Sequence, residues 1–312
     1  MKYYIGIDGG GTKTAYALFD ENKTMLDVIE GPGSNHENLE DSFEQASGYI
    51  IDGINELCTR NGTDKSKIAF TLMGLAGIDH KYQHDKMCAL LKDKGLENFE
   101  IFNDGFIVIK AGSLTGAAIG YNCGTGVCCN AIDSDGNMLQ LMGLGSFSGD
   151  ISGGENIVTK AFELCYNELF LGLEKTMITG MIFEKYGFKT REELLTLIEK
   201  IESEGGAEHI RNMVGFFFDA AEKGDKPALG YCEQMADRGA KSISALAKQM
   251  NFTGEEIEVV LSGSINVKLN NAPYLGMLTE KAQSYSGRKL KFIKLTQKPV
   301  TGCINWIMDT YA

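Results

Sequence analysis

The sequence predicts an α/β protein, and three observations predict it. Short apolar runs come in meanders, each joined to the next by a polar or glycine-rich turn, and then alternate with segments of helical periodicity. The first meander opens on an unusual hairpin. An apolar run from Tyr4 closes on Asp8, passes Gly9, Gly10, Gly11, Thr12 and Lys13, and resumes as a second apolar run from Ala15 to Phe19. The third observation is that this hairpin returns. Sliding Ala117 to Asp133 back by 113 positions puts Gly124-Thr125 on Gly11-Thr12, Asp133 on Asp20 and Met138-Leu139 on Met25-Leu26. Two copies of one supersecondary unit imply two similar domains. In this alignment Asp8 falls on Tyr121, so only the first copy carries the acid.

The elements follow in order. After the hairpin, Met25 to Ile29 reads as a third strand, and Gly31-Pro32-Gly33-Ser34-Asn35-His36 as a loop. Asn38 to Cys58 is helical, with Leu39, Phe43, Ala46, Ile50, Ile54 and Leu57 on one face. A buried strand, Ile68 to Leu72, leads into a loop holding Gly77 and Asp79; a helix runs from about His80 to Lys92. Phe99 to Phe102 is a strand that ends in Asn103-Asp104-Gly105, with a short helix to Gly112. The second meander is followed by the glycine-rich stretch Gly143 to Glu155 and a helix from Asn156 to Leu171. Residues 174–250 read as helix throughout. Glu256 to Leu261 is a strand ending in Ser262-Gly263-Ser264, a helix resumes near Asn271, and Lys289 to Lys294 is the last strand before a terminal helix starting around Pro299. The expected domains are 1–116, with 297–312 returning to it, and 117–296 with a helical insertion at 174–250.

Composition narrows the partners. The formal net charge is −12, which argues against nucleic acid or an anionic membrane. No apolar run approaches the ~18 residues of a membrane span, and no signal region precedes the first acid. The eight cysteines form no CxxC pair and no zinc spacing, so reduced thiols in a cytoplasmic protein are expected.

Glycines let backbone N–H groups approach an anion, Thr12 adds a hydroxyl, and a carboxylate beside them suits a metal. A phosphate cradle is therefore the functional reading of the hairpin. The P-loop and the dinucleotide fingerprint both need a helix directly after the glycines, whereas Ala15 to Phe19 has the pattern of a strand. A glycine-rich turn without a ligand is the bland alternative.

The three motifs together, Asp8 with Gly-Gly-Gly-Thr, the turn Gly124-Thr125-Gly126 and the late Ser262-Gly263-Ser264, resemble the nucleotide-binding motifs of the actin/sugar-kinase/heat-shock-chaperone ATPase superfamily. Within it, the match is closest to the BadF/BadG/BcrA/BcrD-type ATPases, the group that includes N-acetylglucosamine kinase. The resemblance implies two ribonuclease-H-like lobes around a central nucleotide cleft, with ATP and Mg2+ as cofactors and often a homodimer. It implies that Asp8 holds Mg2+ through water, and that Gly9 to Gly11, Thr12 and Lys13 contact phosphates. Gly124, Thr125 and Gly126 would close on them, with Gly263 and Ser264 against the adenosine. Asp104 matches the general base of the sugar kinases. Asn35, Gly77, Asp79, Asp104 and Asp150 would bind the sugar. His36 reads as packing or surface, and Gly302 as the turn that packs the terminal helix onto the first lobe.

The match has departures. Where the N-acetylglucosamine kinases continue Gly-Asp with Glu, this chain has Ile151, the acid being absent or displaced to Glu155; a tryptophan common earlier in that loop is Leu144. The expected activity is phosphorylation of an amino sugar: N-acetylglucosamine or a relative such as N-acetylmuramic acid or glucosamine. The same family contains a different class, activator ATPases of 2-hydroxyacyl-CoA dehydratase or benzoyl-CoA reductase type systems, which need paired cluster cysteines; Cys123 beside Gly124, with Cys128 near it, is the only echo of these. A sugar or nucleotide sensor without catalysis is the third reading, against which Asp8 and Asp104 stand.

Overall fold

Two five-stranded sheets carry the fold in the computed structural model, which describes residues 2–203, 205–269 and 271–312. The chain divides into two units, Met1–Ala117 with Leu295–Ala312, and Ala118–Lys294.

In the first unit, β1 (Tyr3–Gly9), β2 (Lys13–Asp20) and β3 (Met25–Pro32) form an antiparallel meander. Helix α1 (Ser42–Arg60) crosses to β4 (Ile68–Leu75), which lies parallel to β1; α2 (Lys81–Asp93) crosses to β5 (Phe99–Phe102), and α3 (Asp104–Gly112) follows. The order across the sheet is β3-β2-β1-β4-β5. Central strands flanked on both faces read as continuous apolar runs, and Ile5, Ile7, Tyr16 and Leu18 are accordingly buried against Ile50, Ile54 and Leu57 of α1. Helix α1 begins four residues later than its periodicity suggests. The Asn35 side chain instead caps a 3-10 turn, His36–Asn38, and Leu39 leaves it extended at φ −116°, ψ 142°.

The second unit repeats this plan. β6 (Ala118–Cys123), β7 (Val127–Ile132) and β8 (Met138–Met142) form the meander, and β9 (Glu256–Ser262) and β10 (Lys289–Lys294) add in parallel beyond β6. Between β8 and β9, where the first unit has one helix, stand α4 (Gly154–Leu171), α5 (Met177–Tyr186), α6 (Arg191–Glu202), α7 (Gly206–Glu222) and α8 (Lys226–Gln249). The short α9 (Ser264–Val267) and α10 (Ala272–Ser286) connect β9 to β10. The core gathers Ile119, Tyr121 and Cys129 of the sheet with Phe217, Met235 and Ile243 of the helices.

The final helix, α11 (Thr301–Thr310), belongs to the first unit. A Cβ on Gly302 would stand 1.9 Å from the Ile107 carbonyl oxygen on α3, so only glycine lets the two helices close to this distance.

Strand pairing corrects one correspondence between the copies. Asp8 pairs with Ala15, while the residue 113 positions after Ala15, Cys128, pairs with Asn122. The counterpart of Asp8 is thus Asn122 rather than Tyr121, because the second turn is one residue shorter. No helix among the described residues is long and apolar enough to cross a membrane.

Candidate active site

The strand after the glycines is real: β2 begins at Lys13, which removes both helix-dependent readings of the loop. Gly10 N donates to the Lys13 carbonyl at 3.0 Å and closes the turn; the Gly10 carbonyl in turn accepts from Ser34 N and Asn35 N. A Cβ on Gly33 would come within 2.3 Å of the Gly11 carbonyl oxygen, so the Asn35 loop lies directly on the glycine turn. Gly11 and Thr12 are exposed. Lys13 is exposed as well, and its Nζ sits 2.6 Å from Glu30 on β3.

Asp8 is the last residue but one of β1 and lies beside Gly74 of β4, a neighbour with no side chain to bond it. Burial pushes its carboxyl up to about 6, opposed by the charge of Lys13. Asp104 is the first residue of α3. Burial, followed by the charges of Asp8 and Asp79, pushes its carboxyl up to about 7. Asn103 caps α3 through Oδ1, which accepts from Gly105 N at 2.9 Å, while its Nδ2 donates to Asp79 Oδ1 at 2.9 Å. Asp79 is pinned from behind by Gln83, whose Oε1 accepts from Asp79 N and His80 N. Asp104 thus stands within the electrostatic reach of two further carboxylates, Asp8 on β1 and Asp79 in the loop after β4.

Asn35 and Gly77 belong to the same corner. Gly77 has φ +78°, and a Cβ there would stand 2.3 Å from Asn35 Oδ1. His36 is buried, stacked on Phe43 with ring centroids 3.7 Å apart, in keeping with a packing role. Sequence reasoning missed Asn103, Gly33 and Gln83. Only Asn103 had a local signal, an Asn one residue ahead of a helix-initiating Asp-Gly.

In the second unit three glycine turns meet. Gly124 N donates to the Gly126 carbonyl at 2.9 Å, and Gly154 N donates to the Gly124 carbonyl at 2.8 Å. Gly153, at φ +97°, would collide with Thr125 and Gly126 if it carried a Cβ; Gly263, at φ +84°, would collide with the Cys123 carbonyl at 2.2 Å. Ser264 opens α9 directly after Gly263. Gly124, Thr125, Gly126, Gly263 and Ser264 therefore come together as one backbone-lined corner, the kind of surface that accepts phosphate oxygens.

Asp150 is buried in the loop after β8. Its Oδ2 accepts from Gly143 N and from Ser148 Oγ, each at 2.8 Å, while Oδ1 has no partner. Arg238 of α8 donates to the Ser148 carbonyl and ties down the same loop. That contact spans 90 positions and left no mark on the local sequence. Glu155 is exposed on the first turn of α4. Cys123 is fully buried, and burial pushes its thiol up to about 12.

Comparisons with known proteins agree with this architecture. The model of the BadF/BadG/BcrA/BcrD ATPase family matches residues 5–303. The N-acetylmuramic acid/N-acetylglucosamine kinase of Clostridium acetobutylicum is 24% identical over 307 residues, 97% of each chain. The N-acetyl-D-glucosamine kinase of Dictyostelium discoideum is 24% identical over 267 residues, 81% of this chain and 82% of its own. Among solved structures, a candidate N-acetylglucosamine kinase from Chromobacterium violaceum superposes with a TM-score of 0.72 at 18% identity, covering 97% of this chain and 98% of its own. A ROK family glucokinase from Streptomyces griseus, in complex with glucose and AMPPNP, gives 0.57 at 15% identity over 97% of each chain. At these identities the structural likeness shows the fold alone, a mixed α/β architecture with two five-stranded sheets.

Proposed function

The chain belongs to the BadF/BadG/BcrA/BcrD ATPase family, and from that premise we propose that it is an ATP-dependent kinase that phosphorylates a hydroxyl of an amino sugar. The sugar is N-acetylglucosamine or a relative such as N-acetylmuramic acid or glucosamine. The observation that carries the reading is Asp104: a carboxylate on the first turn of α3, a turn capped by Asn103, with its pKa raised to about 7. A sugar hydroxyl is a weak nucleophile. A base that matches the working pH accepts its proton as the bond to phosphorus forms, and such a base is worth about 10²–10⁴ in rate.

The remaining residues divide the work. The Asn35 amide and Asp79 orient the sugar on the first unit, Gly77 giving Asn35 its room. Asp150 offers the unpartnered Oδ1 to a hydroxyl. The backbone of Gly9 to Gly11 with Thr12 receives phosphate oxygens. Gly124, Thr125 and Gly126 do the same on the second unit, where Gly263 and Ser264 receive the nucleoside. Asp8 fits a hard divalent cation. It is an oxygen donor without a hydrogen-bond partner among the described residues, and burial makes its negative charge costly unless it is compensated. Mg2+ bound there would neutralise charge on the transferring phosphoryl group.

The activator class finds less support. The curated relatives are named as sugar kinases, and Cys123, buried with a raised thiol pKa, is poorly suited to offer a thiolate to an exposed cluster. The deciding experiment is ADP release with Mg2+ and a panel of hexoses and amino sugars. Stimulation by an amino sugar well above basal hydrolysis is expected. A rate that no sugar changes would overturn the reading.

A further inference from the structure

The loop between β8 and α4 presents an aromatic ring that the fold does not use. Phe147 is 97% exposed, and Leu144 on the same turn is 53% exposed. A slack loop would explain this, but the turn is tightly cross-bonded. Leu144 N donates to Ser148 Oγ, Gly149 N to the Ser146 carbonyl, and Asp150 N to the Gly145 carbonyl. Asp150 ties Gly143 to Ser148 through Oδ2, and Arg238 holds the Ser148 carbonyl. A fixed frame thus holds a phenyl ring in water, where burial would gain about 2 kcal/mol or more. Three residues away it holds a carboxylate oxygen buried with no partner, which is also unfavourable by itself. An unburied apolar surface and an unsatisfied acceptor on one pinned turn are complementary to a ligand with hydroxyl donors on one part and an apolar group on another.

We propose that Phe147 is a specificity residue that covers the N-acyl group of the amino sugar while Asp150 takes a sugar hydroxyl. The inference rests on the kinase reading above. On an amino sugar the N-acyl methyl is a compact apolar group, and its contact with a ring fixed in place adds binding free energy that a sugar without the acyl group cannot collect.

The test is a series of N-acyl glucosamines, formyl, acetyl and propionyl, with the KM for each measured in the wild type and in Phe147→Ala and Phe147→Trp. In the wild type KM falls by about threefold for each added carbon, in line with the burial of a methylene. In Phe147→Ala the series is flat, KM for N-acetylglucosamine rises about tenfold, and KM for ATP is unchanged; Phe147→Trp keeps the slope. Because the ring is exposed, its loss leaves folding intact. A slope in Phe147→Ala equal to that of the wild type overturns the proposal, as does a rise in KM that is the same for every sugar. A wild type that phosphorylates no amino sugar is a separate result, and fails the kinase reading instead.

Discussion

In the first sheet Gly9 faces Thr14 across the hairpin, and in the second Cys123 faces Val127 across a turn one residue shorter. The strands behind the turns are built alike, so the side chains just before them compare directly. Asp8 lies beside Gly74, and Asn122 beside Ser262. Ser262 Oγ donates to Asn122 Oδ1 at 3.0 Å and so occupies it. Gly74 has nothing to donate, and a Cβ there would run into the side chain of Ile107 at 2.6 Å. The second copy closes its polar pair internally and builds a backbone corner of glycines. The first leaves a carboxylate open, and its charge, together with that of Asp79, counts against ionisation of Asp104. The asymmetry separates the two tasks: the open acid suits a cation and a proton, the closed amide suits a rigid turn.

The largest expected effect comes from the acid that does the proposed chemistry. Asp104→Asn should lower kcat by about 10²–10⁴ while nucleotide binding, followed by fluorescence of an ATP analogue, stays near that of the wild type. A variant that keeps the wild-type rate would remove Asp104 from the role of base.

Next is the substitution that turns the first hairpin into the second. Asp8→Asn should abolish Mg2+-dependent turnover and make the folded protein more stable at pH 8. The sign follows from the direction of the shift. A carboxyl whose folded pKa is raised binds its proton more tightly folded than unfolded. Its contribution to stability is fully present below about 4 and is lost as pH rises through about 6. Asp104 extends the same loss to about 7. Urea unfolding of the wild type without metal should therefore show stability declining between about pH 4 and 7, and each Asn variant should flatten the slope, by about 1–3 kcal/mol across the window. Added Mg2+ should restore stability mostly above pH 7, where the carboxylates are charged, and do so in the wild type but not in Asp8→Asn. The same Mg2+ effect in both would take Asp8 out of the metal site.

These contrasts also mark how far the sequence reaches. Glycine-threonine turns between apolar runs identify the hairpins, because a strand and a backbone turn are local matters. The offset of 113 then anticipates the shared strand order of the two sheets. That same alignment misplaces the counterpart of Asp8, since the missing residue lies inside the turn and only hydrogen-bond register reveals it. Asn103 bonding Asp79, Gln83 pinning Asp79 and Arg238 holding the Asp150 loop are encoded across 24, 4 and 90 positions. The first and last of these depend on tertiary packing, and Gln83 is indistinguishable in sequence from any polar helix residue.

Smaller effects come from glycines at which backbone and space both exclude a side chain. Gly263→Ala combines φ +84° with a Cβ 2.2 Å from the Cys123 carbonyl. It should cost about 2–4 kcal/mol in urea unfolding and raise KM for ATP. Gly77→Ala meets the end of the Asn35 side chain, which can swing away, so about 1–2 kcal/mol is expected. Its kinetic signature differs: KM for the sugar rises and KM for ATP does not. A rise in both would show that the Asn35 corner also supports the nucleotide turn.

The smallest effect separates two roles for Lys13. In sequence it follows the glycine turn, where a cation beside phosphate is expected. In the fold its ammonium lies against Glu30 at 2.6 Å, with both side chains more than half exposed. An exposed pair adds little to stability, so Lys13→Met should leave the melting temperature unchanged. If the ammonium stays with Glu30 while ATP is bound, KM for ATP should rise by less than about threefold. If it swings to the phosphates, the loss of a full charge should raise KM about tenfold or more. Glu30→Gln then tells the cases apart: releasing Lys13 should lower KM for ATP only in the second.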